Sequence, residues 1–336
     1  MVSIDDVARR AGVSTATVSR ALSGRGQVSA TSRERVRAAA DALGYVVSSR
    51  ASSLASGRTR NVGVIVPHLD RWFFGTVLSG ISDTLMRHGY DVTLYNITDD
   101  DAVRREVFRT ALRRERVDAV IAVSIRLGDA ETSRLLEIGI PVIAIGGPDA
   151  RLPMLTVDDF AVAQAAAGHL LRLGHRSIAH IGAAPEFDRE FRVPTQRRLG
   201  FEHALAEAGA ALRPDLLEPA DFTVDGGHRA ARRLLDGPGT RPTAIFAASD
   251  EMAIGAMLAA RELGLRVPED VSVIGVDGHE LGAFFGLTTV DQFPRGQGER
   301  AASLVLSMLD DGADAPAQTI LPFEVVERGS TAPPRG

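Results

Sequence analysis

Apolar positions recur with two different periods along the chain. In the first 45 residues the spacing is helical. Residues 3–10 open on Ser3, with Asp5 and Asp6 in the first turn, where a capping oxygen and negative charge suit the unpaired amides and the dipole. Ala11-Gly12 interrupts the pattern, Ser14 stands where it can cap a second helix over 15–22, and "SGRGQVSA" reads as a loop. A third helix runs from Ala30 to Leu43 and stops at Gly44. From Asn61 the texture changes to short β-branched runs, "NVGVIVP", "YDVTLYN", "VDAVIAVS" and "PVIAIGG", separated by helical stretches. After a helix at 160–173 the alternation restarts with "SIAHIG", "TAIFAAS" and "VSVIGVDG". The last strands fall near 287–291 and 318–327, with a helix at 295–310 between them. This pattern predicts an α/β body of two doubly wound parallel sheets in tandem, with a ligand crevice at the carboxyl ends of their strands.

The stretch "SSRASSLASGRTR" joins the two textures, and Leu54 is its one large apolar side chain. A helix this short buries almost nothing alone, so the segment is expected to become helical only against a partner. A chain of 336 residues with 45% hydrophobic and 24% charged residues suits a soluble protein of two or three domains. No run of 18 apolar residues occurs and "MVSIDDVARR" lacks the layout of a signal peptide, so the expected location is cytoplasmic with no membrane partner. The absence of cysteine excludes disulfides, thiolate metal sites and thiol nucleophiles. Charge is distributed unevenly. Residues 1–60 carry ten arginines against four acids, a balance of +6 within a chain of net charge −5, which leaves −11 on the remainder. A basic head on an acidic body points to a polyanion met by the head alone, against the plainer reading of a solvated basic surface.

The spacing of Ala8, Gly12 and Val18 is what two helices crossing steeply require: a small residue for close approach, a glycine for the turn, an apolar residue closing the core. Ile4, Val7, Val13 and Leu22 complete the inward face of this helix-turn-helix. Thr15, Ala16, Thr17, Ser19 and Arg20 are left for the outer face. In such a motif the second helix enters the major groove. Arg20 then suits guanine O6 and N7, Thr15 and Ala16 suit a thymine methyl or a polar edge, and Ser14, Thr17 and Ser19 suit phosphate oxygens. A small-residue helix of an ordinary bundle is the alternative.

The run "SIDDVARRAGVSTATVSRALSGRGQVSATSRERVRAAADALGY", followed by a hinge and a two-part body, resembles the lactose/galactose repressor (LacI/GalR) family of bacterial transcription regulators. The likeness continues at "RLGF", "AASDEMAIGAMLAARELGLRVPEDVSVIGVDG" and "LTTVDQ". It implies a homodimer on near-palindromic double-stranded operator DNA and a two-lobed, periplasmic-binding-protein-like body. The layout expected is a DNA-binding head at 1–46, a hinge at 47–60, one lobe from 61–159 with 290–320, the other from 160–289 with 321–330, and a tail at 331–336. The family's hinge helix pushes a leucine into the minor groove, and Leu54 stands at that place. Ser52 stands where the family often has an arginine contacting DNA, Val47 where it often has proline and Ser48 where it often has asparagine. The tail "RGSTAPPRG" has no leucine heptads, which favours a dimer over a tetramer.

By the same resemblance the loop "PHLDRWFFG" belongs to the ligand pocket. Trp72 and Phe73 would stack on a sugar face while Asp70 accepts hydroxyl protons, or the two rings are buried in the lobe or the dimer face. The family often has Asn-Pro where Arg71-Trp72 stands. Arg197 in "RRLGF" and Asp277 in "GVDG" match ligand-binding positions, and Asp158, Phe222 and Asp250 fall at or near others. Asp250 equally suits a helix cap, and Arg197 a surface ion pair. Carboxylate, guanidinium and aromatic groups together suit a polyhydroxylated effector, a carbohydrate.

Other motifs carry less. "GQGERA" at 296–301 mimics a dinucleotide-binding pattern but has no βαβ unit after it. His169, His175 and His180 are spaced by six and five, which does not stack them on one helical face for a metal. No G-x-S-x-G elbow or P-loop occurs. The expectation is therefore a transcriptional regulator, a repressor of carbohydrate genes, with no catalytic residues, metal or cofactor. A sugar-binding protein serving transport and a sugar-processing enzyme are the rival readings.

Overall fold

A computed structural model describes residues 2–23, 27–45, 58–97, 101–112, 116–146, 151–183, 192–210, 213–237, 239 and 241–335. The proposed hinge positions Ser52 and Leu54, with Val47 and Ser48, lie outside the described residues. The chain forms two compact units, one holding the first 60 residues and the other nearly all the rest.

The head is three helices, α1 (Ile4–Ala11), α2 (Thr15–Ser23) and α3 (Ala30–Leu43). Ser3 and Asp6 cap α1 reciprocally: the Ser3 hydroxyl accepts the Asp6 N–H at 3.3 Å and the Asp6 carboxylate accepts the Ser3 N–H at 3.0 Å. These bonds from Ser3 hold the Asp6 carboxyl below the usual carboxylate range. Gly12 ends α1 in the left-handed region (φ 63°), which only a residue without Cβ enters at no cost. Val7, Ala8, Val18, Val36 and Ala40 form the core between the helices, with Ile4, Val13 and Leu22 packed at its edge.

The body holds two six-stranded sheets. The first contains β1 (Asn61–Val66), β2 (Asp91–Asn96), β3 (Ala119–Val123), β4 (Val142–Ile145), β5 (Met154–Thr156) and β11 (Gln318–Ile320), in the order β11-β5-β4-β3-β1-β2. The second contains β6 (Ile178–Ala183), β7 (Leu217–Ala220), β8 (Ala244–Ala247), β9 (Ser272–Asp277), β10 (Thr288–Asp291) and β12 (Glu324–Val326), in the order β12-β10-β9-β8-β6-β7. All pairings are parallel except β10 with β12. Strands β3, β4, β8 and β9 are buried along their whole length, as strands covered by helices on both faces must be, whereas edge strand β2 has no fully buried position. The sheets join at three crossings, where β5 leads to the helix Asp159–Arg172, β10 to the helix Pro294–Asp311, and β11 to β12. Residues 290 and 291 thus complete a strand of the second sheet.

Two features depart from the simple reading. Gly298, within "GQGERA", sits where the helix Pro294–Asp311 crosses the helix Trp72–Arg87, and a Cβ there would overlap the Val77 carbonyl oxygen. Its glycine serves close helix packing. Residues from 330 onward also pack against the second lobe: Ser330 O accepts the Val273 N–H at 2.8 Å, Thr331 Oγ1 is 2.9 Å from His169 Nε2, and Ala332 O is 2.8 Å from His175 Nε2. His180 goes elsewhere, stacked on Phe246 at 4.8 Å, and its burial lowers it to about 4.

Candidate functional site

On the head, Ser14 caps α2, its hydroxyl accepting the Thr17 N–H at 3.2 Å and lying 2.9 Å from Thr17 Oγ1. That cap aims the following turn outward. Thr15, Ala16, Ser19 and Arg20 are exposed, Thr17 is half-buried, and Val18 and Ala21 on the opposite side are fully inside. Arg20 Nε donates to Ala16 O at 3.1 Å, which lays the side chain back along the first turn of its own helix.

In the body a cavity of about 310 Å³ opens between the two sheets. Its wall is built from the segments that leave the strands at their carboxyl ends: His68 and Phe73 after β1, Ser124 after β3, Gly146 after β4, Phe222 after β7, Ser249 and Glu251 after β8, Asp277 at the end of β9, and Gln292 after β10. A parallel sheet places its loops and helix N-termini at that end, so the topology alone assembles the site. Four wall residues hold left-handed backbone despite carrying a side chain: Ser124 (φ 43°), Arg192 (φ 51°), Phe222 (φ 58°) and Asp277 (φ 125°). Such strain, of order 1–3 kcal/mol each, gathers where a chain must aim particular groups.

The polar floor centres on Arg197, which is buried. Its Nε donates to Asp159 Oδ1 at 2.9 Å, one Nη donates to the Ala248 carbonyl, and the same nitrogen lies 3.9 Å from Asp277 Oδ1. Gln292 donates to that Asp277 oxygen at 2.6 Å. Burial pushes Asp277 up to about 6 against the pull of Arg197 and Gln292, and it raises Asp159 in the same way. Burial, with repulsion from Asp277, raises Glu251 to about 7. Phe73, Phe74, Ile145 and Phe222 supply the apolar part of the wall. Rings beside paired carboxylate and amide groups can cover the C–H face of a sugar while receiving and donating its hydroxyl hydrogen bonds.

Of the residues expected at the ligand, Phe73, Arg197, Phe222 and Asp277 meet on this wall. Four others do not. Asp70 is exposed and paired with Arg71 at 3.0 Å. Trp72 is turned onto His279, with ring centroids 4.3 Å apart. Asp158 points away to cap a helix, accepting the Ala161 N–H at 3.0 Å, and its neighbour Asp159 faces the cavity instead. Asp250 is buried, accepting the His279 N–H and the Thr289 hydroxyl at 2.7 Å each; the cap of its helix is Ser249, one residue earlier. Burial and Asp277 push Asp250 well above the usual carboxylate range. Glu251, Gln292, Gln297, His68 and Phe74 were missed, although each lies within a few residues of a strand's carboxyl end or the helix that follows.

Comparison with known proteins adds to this geometry. Residues 3–48 match the model of bacterial regulatory proteins of the lacI family, and residues 167–331 match that of a periplasmic binding protein-like domain. The HTH-type transcriptional repressor CytR of Escherichia coli K12 is 34% identical over 331 residues, covering 97% of this chain and 95% of that protein. The HTH-type transcriptional regulator MalR of Streptomyces coelicolor is 35% identical, covering 97% and 96%. Among solved structures, the lac repressor dimer bound to operator and the anti-inducer ONPF superposes with a TM-score of 0.85 at 26% identity, covering 98% of this chain and 99% of that one. A complex of the transcriptional regulator CelR with cellobiose gives 0.71 at 29% identity, covering 98% and 100%.

Proposed function

The chain belongs to the LacI family of bacterial regulatory proteins, and from that premise we propose that it is a transcriptional repressor of carbohydrate genes whose grip on DNA is set by a sugar bound between its lobes. One observation carries the reading. The same chain presents a capped helix with an exposed outer face at Thr15, Ala16, Ser19 and Arg20, and a cavity whose wall joins Arg197 and Asp277 to Phe222. Neither a transport protein nor an enzyme has use for the first. The relatives named as repressors and the neighbour solved with cellobiose support it. The repressor works where its DNA is, inside the cell, as a homodimer on a near-palindromic operator, with Ser14, Thr17 and Ser19 on phosphates, Arg20 on a base edge, and Leu54 wedged at the dyad.

The reading is tested by linkage. Mono- and disaccharides are screened by calorimetry, and operator affinity is then measured with and without each sugar that binds. A sugar that binds one per protomer should shift operator affinity by about 5–150-fold. Asp277→Asn should abolish that shift and keep operator affinity. A sugar that binds stoichiometrically yet leaves operator affinity unchanged contradicts ligand control, and a sugar consumed in turnover supports the enzyme reading.

A further inference from the structure

The pair Arg71-Trp72 stands at the start of the first helix of the first lobe, yet the Trp72 ring and one arm of the Arg71 side chain reach the second lobe. The Trp72 indole stacks on the His279 imidazole, with centroids 4.3 Å apart and planes at 20°. Its backbone N–H faces the Glu251 carboxylate and favours the charged form. Arg71 Nη1 is held by Asp70 at 3.0 Å, while Nη2 reaches the Asp221 carbonyl oxygen at 3.4 Å. Trp72 and His279 are absent from the cavity wall. A large ring committed to a cross-lobe stack is spent on lobe geometry.

We infer that Arg71 and Trp72 form, with Asp221, Glu251 and His279, a clasp between the lobes, whose members are positioning residues that set how readily the cavity closes on its effector. The clasp is sensitive to protons because of what faces it. Glu251 is faced by Asp277 from β9 and by Arg71 and Asp70 from the first lobe. His279 is faced by the Trp72 ring and by Glu280; its own N–H donates to Asp250, and its Nδ1 accepts the Leu281 N–H at 3.0 Å.

In the clasped arrangement the burial of Glu251 favours its protonated form more than Arg71 and the Trp72 N–H favour the carboxylate, so this arrangement takes up a proton and grows more favourable as pH falls through about 7. Burial lowers His279, so closure disfavours the imidazolium. Protonation at Nδ1 also breaks the bond from Leu281, and at more acid pH the clasp therefore loosens again. It is tightest between these limits.

Trp72 is the sole tryptophan of the chain and reports directly. Acrylamide quenching of the full-length protein, measured from mildly acid to mildly alkaline pH, should show Trp72 most shielded at an intermediate pH below 7. Exposure should rise on the alkaline side with a midpoint near 7. Glu251→Gln should abolish that rise, and His279→Phe, which keeps a ring under the indole, should abolish the acid-side rise. A flat profile in the unaltered protein overturns the clasp, as does a His279→Ala variant of native circular dichroism whose Trp72 stays equally shielded. The clasp's importance rests on the ligand-controlled reading above. The measurement contains neither DNA nor effector, so its failure would remove the clasp and leave that reading standing.

Discussion

Arg197 shows how one buried charge shapes a site. A guanidinium taken out of water is tolerated only when it is paired and bonded; Asp159 and Ala248 O accept from it, and the Asp277 carboxylate lies 3.9 Å away. In return it holds the Asp159 carboxylate at the cavity wall, with that of Asp277 nearby. Arg20 is the contrasting case, an exposed cation on the outer face of α2. Arg20→Ala is expected to weaken specific binding by about 1–3 kcal/mol and to relax one base position in each half-site. Competition between cognate and scrambled duplexes checks this; equal selectivity in the variant and the unaltered protein would refute it. At this scale the sequence was informative where a residue's chemistry and place coincide, as for Arg197, Phe222 and Asp277. It misled at Asp70, Asp158 and Asp250, because a one-residue difference at a helix start decides whether a carboxylate faces a cavity, caps the helix or is buried beneath it. Asp158 and Asp159 are neighbours with opposite fates.

Among the elements, the crossing of Trp72–Arg87 with Pro294–Asp311 is set by two glycines. A Cβ at Gly80 would overlap the Arg295 carbonyl oxygen, and one at Gly298 would overlap that of Val77. Both obstacles are backbone, which no rotamer change relieves. Gly298→Val should therefore force the helices apart and cost about 1–3 kcal/mol, read as a lowered denaturant midpoint of the body. An unchanged midpoint would mean that the crossing is loose. The helices of the head and most strands follow the periodicity of their sequences, since capping and alternation are local. Two strands escaped that reading for physical reasons. β5 is three residues long, too short to show a period, and β7 contains Pro219, which a strand tolerates because β7 lies at the sheet edge. The stretch 318–327 was expected as a strand, but its division into β11 and an antiparallel β12 was hidden, as direction within a sheet depends on the crossing that precedes it.

For the whole molecule, the charge balance of +6 on the first 60 residues within a chain of −5 keeps the acidic body off DNA while drawing the head to it. Binding should accordingly weaken steeply with salt. Reciprocity then requires that the operator change effector affinity by the same factor as the effector changes operator affinity. The two-sheet architecture and the end of the sheets at which the cavity lies were readable from the order of strands and helices. The clasp was not, because the partners of Arg71 and Trp72 lie about 150 residues or more further along the chain, in segments with no sequence pattern in common with them. The central claim is that the outer face of α2 reads a sequence on behalf of a symmetric molecule. The measurement that tests it most directly is selection of random duplexes by the purified full-length protein at one fixed, moderate salt concentration. The account predicts an enriched inverted repeat with a deformable central step; salt-sensitive binding without enrichment of any sequence, with or without bound sugar, would contradict it.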